Sequence, residues 1–291
     1  MKDRIIDCLA YEGKVSIKCM SSTEIVEEAR KIHGLSPTAT AALGRLLTIT
    51  SIMGYELKEK DGNLTNQIKG DGPIGILTAV ADSNGNGKGY VGNNTVDIPL
   101  KENGKLDVGT AVGKKGMLYI VKDLGIGKPY VGMTPIVSGE IAEDFTNYFA
   151  TSEQTPTVIA LGVLVDKDGV RAAGGYKLSL MPDATEDIIS TIEQQISKIE
   201  PISKMLDENK TLEEIAKLVT GDENIQVLET INPEFKCNCS REKCEKGLIA
   251  VGKAELEAMI KEEEKIEIVC NFCNSKHIFT REDLQNLADK I

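Results

Sequence analysis

The sequence predicts an α+β fold in three parts: a strand-rich N-terminal α+β domain over residues 1–180, a helical linker over 181–231, and a small cysteine-bearing domain over 232–291. Three observations carry this division. Of the 27 glycines, 24 lie in the first 180 residues, which marks that part as rich in turns and strands. Isoleucines at helical spacing follow Pro182. Five of the seven cysteines lie beyond residue 236. A chain of 291 residues can form one sizeable core plus a smaller module.

The elements follow in order. Val15-Ser16-Ile17-Lys18-Cys19 alternates as a strand. Ser21 and Glu24 fit a capping box for a helix that stops at Gly34. Ser36-Pro37 opens a second, mostly apolar helix through about Met53, with Leu43, Leu46, Leu47 and Thr50 at helical spacing. Gly70-Asp71-Gly72-Pro73 is a turn before a strand over Ile74–Val80, and Asp82–Gly87 is a hairpin loop returning through Tyr90 and Val91. Met117–Val121 is a further strand. Ser138 starts a helix with Ile141, Phe145, Tyr148 and Phe149 on one face. Thr157–Val165 and Val170–Leu180 form a hairpin about Asp168-Gly169. This layout is α+β rather than a regular βαβ alternation. Past Pro182-Asp183, residues 183–199 form an amphipathic helix with Ile188, Ile189, Ile192, Ile196 and Ile199 near one stripe. Pro201 interrupts it, and Leu212, Ile215, Ala216, Leu218 and Val219 make a second stripe ending at Gly221. Asn232-Pro233 leads into the cysteine module, with a helix over 253–263, strands over Lys265–Val269 and Lys276–Phe279, and a terminal helix over Arg281–Lys290.

Composition excludes several function classes. The net charge is −11, and residues 181–291 hold 14 Lys/Arg against 24 Asp/Glu. So acidic an end opposes a phosphate backbone, and the absence of Trp with only five Phe argues against a base-stacking surface, so no nucleic-acid partner is expected. No apolar run approaches the roughly 20 residues that span a bilayer, so no membrane partner is expected either. Met1-Lys2-Asp3-Arg4-Ile5 has no signal-like character and reads as the start of a cytoplasmic protein. In a reducing compartment, clustered cysteines point to metal binding or redox chemistry before structural disulfides.

Gly87-Lys88-Gly89-Tyr90-Val91-Gly92 matches G-x-G-x-x-G, but Asn93-Asn94 continues it with no helical signal, so it reads as a hairpin rather than a dinucleotide site. Of the two histidines, His33 reads as a helix C-terminal charge partner and His277 as a solvent-facing strand residue. Cys8 and Cys19 stand apart from the cluster, and Cys19 shares a strand face with Val15 and Ile17, which predicts buried packing. Cys237-x-Cys239 and Cys270-x-x-Cys273 form the strong motif. Two close thiol pairs can supply four sulfurs to one tetrahedral metal, most naturally zinc, as in a purely structural knuckle. The same four sulfurs can instead form two local disulfides, and spacing alone does not separate a static site from a switch. Cys244, seven residues after Cys237, reads as a spare thiol because four better-spaced sulfurs already complete the tetrahedron.

The segments Cys237-Asn238-Cys239-Ser240-Arg241-Glu242-Lys243 and Cys270-Asn271-Phe272-Cys273-Asn274 resemble the thirty-three-kilodalton chaperonin family, the redox-regulated heat-shock holdases of bacteria. Asn147-Tyr148-Phe149 followed by Ser152-Glu153-Gln154-Thr155-Pro156-Thr157 resembles that family's most distinctive internal segment, and Gly70-Asp71-Gly72-Pro73-Ile74-Gly75 and Gly44-Arg45-Leu46-Leu47 also fit. The resemblance spans nearly the whole chain; Cys244 is its one departure. It implies a non-enzymatic chaperone. Reduced, the protein is an inactive monomer with one zinc ion on Cys237, Cys239, Cys270 and Cys273. Oxidation pairs Cys237 with Cys239 and Cys270 with Cys273, releases the zinc and unfolds the module and then the linker. The dimeric oxidised form holds unfolding client proteins without ATP and passes them to ATP-driven chaperones. The linker stripe at Ile188, Ile192 and Ile196 is the expected client-binding surface, packed as core in the reduced state. Two other functions use the same cysteines: a thiol–disulfide oxidoreductase acting through Cys270-Asn271-Phe272-Cys273, and a zinc-ribbon adaptor that binds one partner while reduced.

Overall fold

The computed structural model describes residues 2–291. The chain divides into two compact units, Met1–Lys236 and Cys237–Ile291.

The first unit opens with β1 (Arg4–Ala10) and β2 (Val15–Ser21), joined through a 3-10 turn at Tyr11–Gly13. Helices α1 (Thr23–His33) and α2 (Pro37–Tyr55) follow. Next come β3 (Asn63–Gly70), β4 (Ile76–Asp82), β5 (Gly87–Val91), the short α3 (Val108–Val112), β6 (Gly116–Asp123) and β7 (Tyr130–Pro135). Helix α4 (Ile141–Thr151) precedes the long hairpin of β8 (Thr157–Asp166) and β9 (Gly169–Leu180). The unit ends with α5 (Glu186–Ile196), α6 (Ile202–Asp207), α7 (Leu212–Thr220) and β10 (Gln226–Ile231). Two antiparallel five-stranded sheets result, ordered β10-β1-β2-β9-β8 and β5-β4-β3-β6-β7.

Helix α2 packs against strands of both sheets and is buried on every side from Thr38 to Gly54 except at Arg45. This burial explains its lack of a polar stripe: a helix enclosed all round is apolar all round. Its start is as expected, with Pro37 at the first position and the Ser36 hydroxyl accepting the Ala39 N–H. Some buried hydroxyls within it are satisfied locally, as when Thr48 Oγ1 donates to the Gly44 carbonyl at 2.8 Å, and Thr50 Oγ1 accepts from the Asn66 amide at 3.0 Å. Gly44 permits close approach: a Cβ there would lie 2.7 Å from Val26 Cγ1 and 2.8 Å from Val163 Cγ2.

The first sheet is buried on both faces. Ile5 and Met20 face the core around α2. Ile6, Cys8, Ala10, Val15, Ile17 and Cys19 face the other way, onto Ile192, Ile202, Met205, Leu212, Ile215 and Val219 of α5–α7. Polar links reinforce that layer. Arg4 Nη2 lies 2.7 Å from Glu213 Oε1, and the Tyr11 hydroxyl donates to the Thr220 carbonyl at 2.8 Å. The Tyr11 N–H donates to Asp222 Oδ2 at 2.7 Å. After β10 the chain is clasped to β5: Gly87 N–H donates to the Glu234 carbonyl (3.1 Å), and Lys236 N–H to the Gly87 carbonyl (2.9 Å).

Several local expectations are corrected. Ser21 and Glu24 make no capping box: Ser21 ends β2, where its hydroxyl accepts the Arg4 N–H at 3.0 Å. The N-cap position of α1 is Ser22, whose hydroxyl pairs with Thr48 Oγ1 instead, and the carboxylate of Asp3 accepts the Ile25 N–H at 2.8 Å. A buried tertiary partner displaces the local cap. Helix α4 begins at Ile141 rather than Ser138, because Asp144 Oδ1 accepts the N–H groups of Val137 and Ser138 and shapes an irregular entry. β1, β3, α3, β7, α6 and β10 are elements that the local pattern does not show, nor does it show the helix over Arg241–Val251.

In the second unit, α8 (Arg241–Val251) and α9 (Lys253–Glu262) precede the hairpin of β11 (Lys265–Val269) and β12 (Lys276–Thr280), and α10 (Arg281–Ala288) ends the chain. Its core is small: Leu248, Leu256, Phe279, Leu284, Leu287 and Ala288. Thr280 and Asp283 form a full capping box on α10, and the Arg241 guanidinium sits 4.2 Å over the Phe279 ring.

Candidate metal centre

Two short segments carry the sulfurs. Cys237 and Cys239 lie in the extended stretch before α8, whose start is fixed by the Ser240 hydroxyl accepting the Lys243 N–H. Cys270 and Cys273 lie in the connection between β11 and β12. There Cys270 N–H donates to the Ser275 carbonyl and Asn274 N–H to the Cys270 carbonyl, both at 2.9 Å. Asn274 takes a left-handed φ of 56°, which Asn tolerates better than most residues. The tight turn places both thiols at one end of the hairpin.

All four Sγ atoms lie within 4.8 Å of one another. Cys237 Sγ is 3.7 Å from Cys270 Sγ, and Cys239 Sγ is 3.4 Å from Cys273 Sγ. Sulfurs bound at about 2.3 Å around a tetrahedral ion sit roughly 3.8 Å apart, so this spacing suits one metal ion. It is far from the roughly 2.05 Å of a disulfide, and all seven cysteines are free thiols. An all-sulfur donor set favours zinc over hard cations such as calcium or magnesium.

The titration behaviour fits a crowded set of thiols that share one charge. Partial burial and hydrogen bonding with Cys273, Cys237 and Cys270 push Cys239 up to about 12. Cys237 is also raised, chiefly by burial. Burial opposes ionisation of Cys273 as well, but hydrogen bonds from the Ser275 hydroxyl and amide, together with Cys239 and Cys237, outweigh it and bring Cys273 down to about 6. The Cys273 thiolate is thus favoured at the expense of Cys237 and Cys239, and a divalent cation at the centre would favour the thiolate form of its ligands. Ser275, whose Oγ is 3.2 Å from Cys273 Sγ, is a supporting residue that the motif does not reveal. Its signal is only its place two residues after the second Cys of the pair.

The other candidates fall outside this group. Cys244 lies on α8 and packs against the module's apolar core. His277 lies on β12 opposite Ile268 and is not among the clustered ligands. Cys8 and Cys19 are buried under α5–α7, as the strand pattern predicts for Cys19. Ile192 is buried there, and Ile188 and Ile196 are half-buried against the same cluster, so the linker stripe is packed as core. The glycine-rich Gly87–Gly92 stretch forms β5 of a hairpin with no helix after it. No described helix is long and apolar enough to cross a membrane.

Comparison with known proteins places these features in company. Residues 3–280 match the family described as Hsp33 protein. The 33 kDa chaperonin of Clostridium beijerinckii is 46% identical over 290 residues, 99% of this chain and 99% of its own length. That of Clostridioides difficile is 46% identical over 291 residues, 100% of both chains. The crystal structure of the 33 kDa chaperonin from Thermotoga maritima matches with a TM-score of 0.91 at 38% identity, covering 100% of this chain and 99% of that one.

Proposed function

The chain belongs to the Hsp33 family, and from that premise we propose that it is a redox-regulated, ATP-independent holdase with no catalytic turnover, acting in the cytoplasm. The observation that carries this reading is the cluster of four sulfurs in a unit whose core has only six fully buried side chains. Cys237, Cys239, Cys270 and Cys273 hold one zinc ion in the reduced chain. Bound there, zinc crosslinks the two cysteine segments and keeps their sulfurs ionised. Peroxide withdraws two electrons from each pair of thiolates: Cys270 joins Cys273 and Cys237 joins Cys239, the ion is released, and two peroxides with four protons from solvent become four waters. Sulfur contacts run between segments, Cys237 to Cys270 and Cys239 to Cys273, and all four sulfurs lie within 4.8 Å of one another, so each local partner is also within reach. With its ligands consumed, the module cannot rest on its core alone. The division into a core domain over 1–180, a linker over 181–231 and a switch domain over 232–291 follows the same logic. Helices α5–α7 then leave the sheet, and the stripe at Ile188, Ile192 and Ile196 becomes available to unfolding clients. The active form is a homodimer, the reduced form a monomer, and ATP-driven chaperones receive the released clients.

The test combines peroxide treatment at mild heat, a chromogenic chelator to follow zinc, and light scattering by an unrelated thermolabile protein. We expect about one zinc released per chain and suppression of aggregation only after oxidation. Cys273→Ser should lose zinc in the reduced state, and Cys244→Ser should keep both zinc and switching. Equal holdase activity before and after oxidation, or zinc retained throughout, would sink the proposal. Turnover of a dithiol substrate would favour an oxidoreductase instead.

A further inference from the structure

β10 is an edge strand held almost wholly by its main chain. Gln226 to Thr230 are exposed, Val227 by 42% and Leu228 by 50%. Within the strand Ile231 packs onto the core, and of its flanks Ile225 and Phe235 do so. The pairing with β1 also carries two defects. Its register slips between Asp7 and Cys8, and Asp7 stands directly opposite Glu229. Like charges in facing positions oppose pairing; here the Tyr55 hydroxyl, 2.7 Å from Glu229 Oε2 and 3.4 Å from Asp7 Oδ2, and Lys18, 3.2 Å from Asp7, moderate the repulsion. β10 therefore brings to the sheet chiefly the hydrogen bonds that any extended chain can offer. It is also continuous with the cysteine module, since Cys237 follows Lys236.

We infer that the β1 edge is a docking site for an extended, unfolded client segment, which adds as an antiparallel strand in place of β10 after the module unfolds. This rests on the holdase proposal and names a site for it. Main-chain recognition by strand addition is largely indifferent to sequence, which suits a partner class defined only by being unfolded. The edge still sets preferences. An apolar side chain fits where Ile231 packs against the core, and a basic or neutral residue opposite Asp7 pairs better than Glu229 does. Proline within the segment removes donors and is rejected.

Hydrogen exchange on the full chain, read by mass spectrometry over residues 2–10 and 226–236, tests this while light scattering follows client aggregation in the same sample. Oxidation should raise exchange at least tenfold over 226–236 and at the β1 amides that β10 covers. A bound client should restore protection to β1 but not to 226–236. A fluorescent peptide with the sequence of residues 226–235 should bind the oxidised chain at least tenfold more tightly than the same peptide with proline at the positions of Val227 and Glu229. Protection of 226–236 that survives oxidation, a β1 edge still open when client is bound, or equal binding of the two peptides overturns the inference. If aggregation is suppressed while any of these holds, only this inference falls; if it is not suppressed, the holdase proposal falls with it.

Discussion

Asp3, 2% exposed, accepts the Ile25 N–H in place of a local cap on α1. Burial raises its pKa from 3.8 to about 7, an effect that hydrogen bonds from the amides of Ile25, Glu24 and Thr23 only partly offset. Its contribution to stability is therefore fully present below about pH 4 and is lost as pH rises through 7, because the folded chain binds this proton more tightly than the unfolded one. Asp3→Asn keeps an acceptor oxygen and removes the titration. Denaturant unfolding at pH 4.5 and pH 8 should show the variant gaining on the natural chain by on the order of 2–4 kcal/mol between the two. A constant difference would mean that Asp3 does not titrate in this window. Legibility differs sharply between residues. The cysteine pairs were readable because their partners lie two and three positions apart in sequence. Asp3 was not, because its partner lies 22 residues away and a plausible Ser21–Glu24 pattern stood in between.

Among elements, α5–α7 form a layer whose hold on the sheet can be measured. Ile192→Ala removes buried carbons and should cost roughly 2–4 kcal/mol of packing. Cys8 and Cys19 lie buried in the same cluster, so their alkylation reports the layer's opening. A loss of 2 kcal/mol should speed modification of the reduced chain about thirtyfold where opening and closing are fast relative to alkylation. An unchanged rate would show that the layer is held elsewhere, for instance by Arg4–Glu213 and the bonds of Tyr11. α2, α7 and the β8–β9 hairpin were legible because caps, glycine stops and tight turns are local signals. β1 was obscured because adjacent Ile5 and Ile6 face opposite buried layers and erase the alternation. β10 carries no buried stripe, and only its pairing with β1 makes it a strand. The stripes of α5 and α7 announced that they cover a surface, but not which one.

For the whole molecule, two units of unequal self-sufficiency share one chain. The unit Cys237–Ile291 has 55 residues, a size at which an apolar core is marginal. Structural zinc in comparable peptides contributes about 10–16 kcal/mol, against roughly 5–15 kcal/mol for a whole domain. A chelator under reducing conditions should therefore make residues 237–291 sensitive to trypsin while β2, β9 and α2 stay resistant. Loss of resistance across both units at once would show that they unfold as one. That the clustered cysteines belong to a small C-terminal unit was legible from their distribution, whereas the glycine-marked boundary at 180 lies inside the unit Met1–Lys236. The burial of one sheet on both sides was not legible, since no local pattern records which layers meet.

The clasp at Gly87 has a mechanical consequence. Tension applied from Cys237 reaches first the bonds that join Lys236 and Glu234 to Gly87, then the pair of Ile231 with Ile5, and only later Gln226 with Leu9. The strand is therefore anchored in sequence: its C-terminal pairs stand between Cys237 and the rest of the ladder, and Gln226 with Leu9 is the last pair to feel a disturbance that enters from that end.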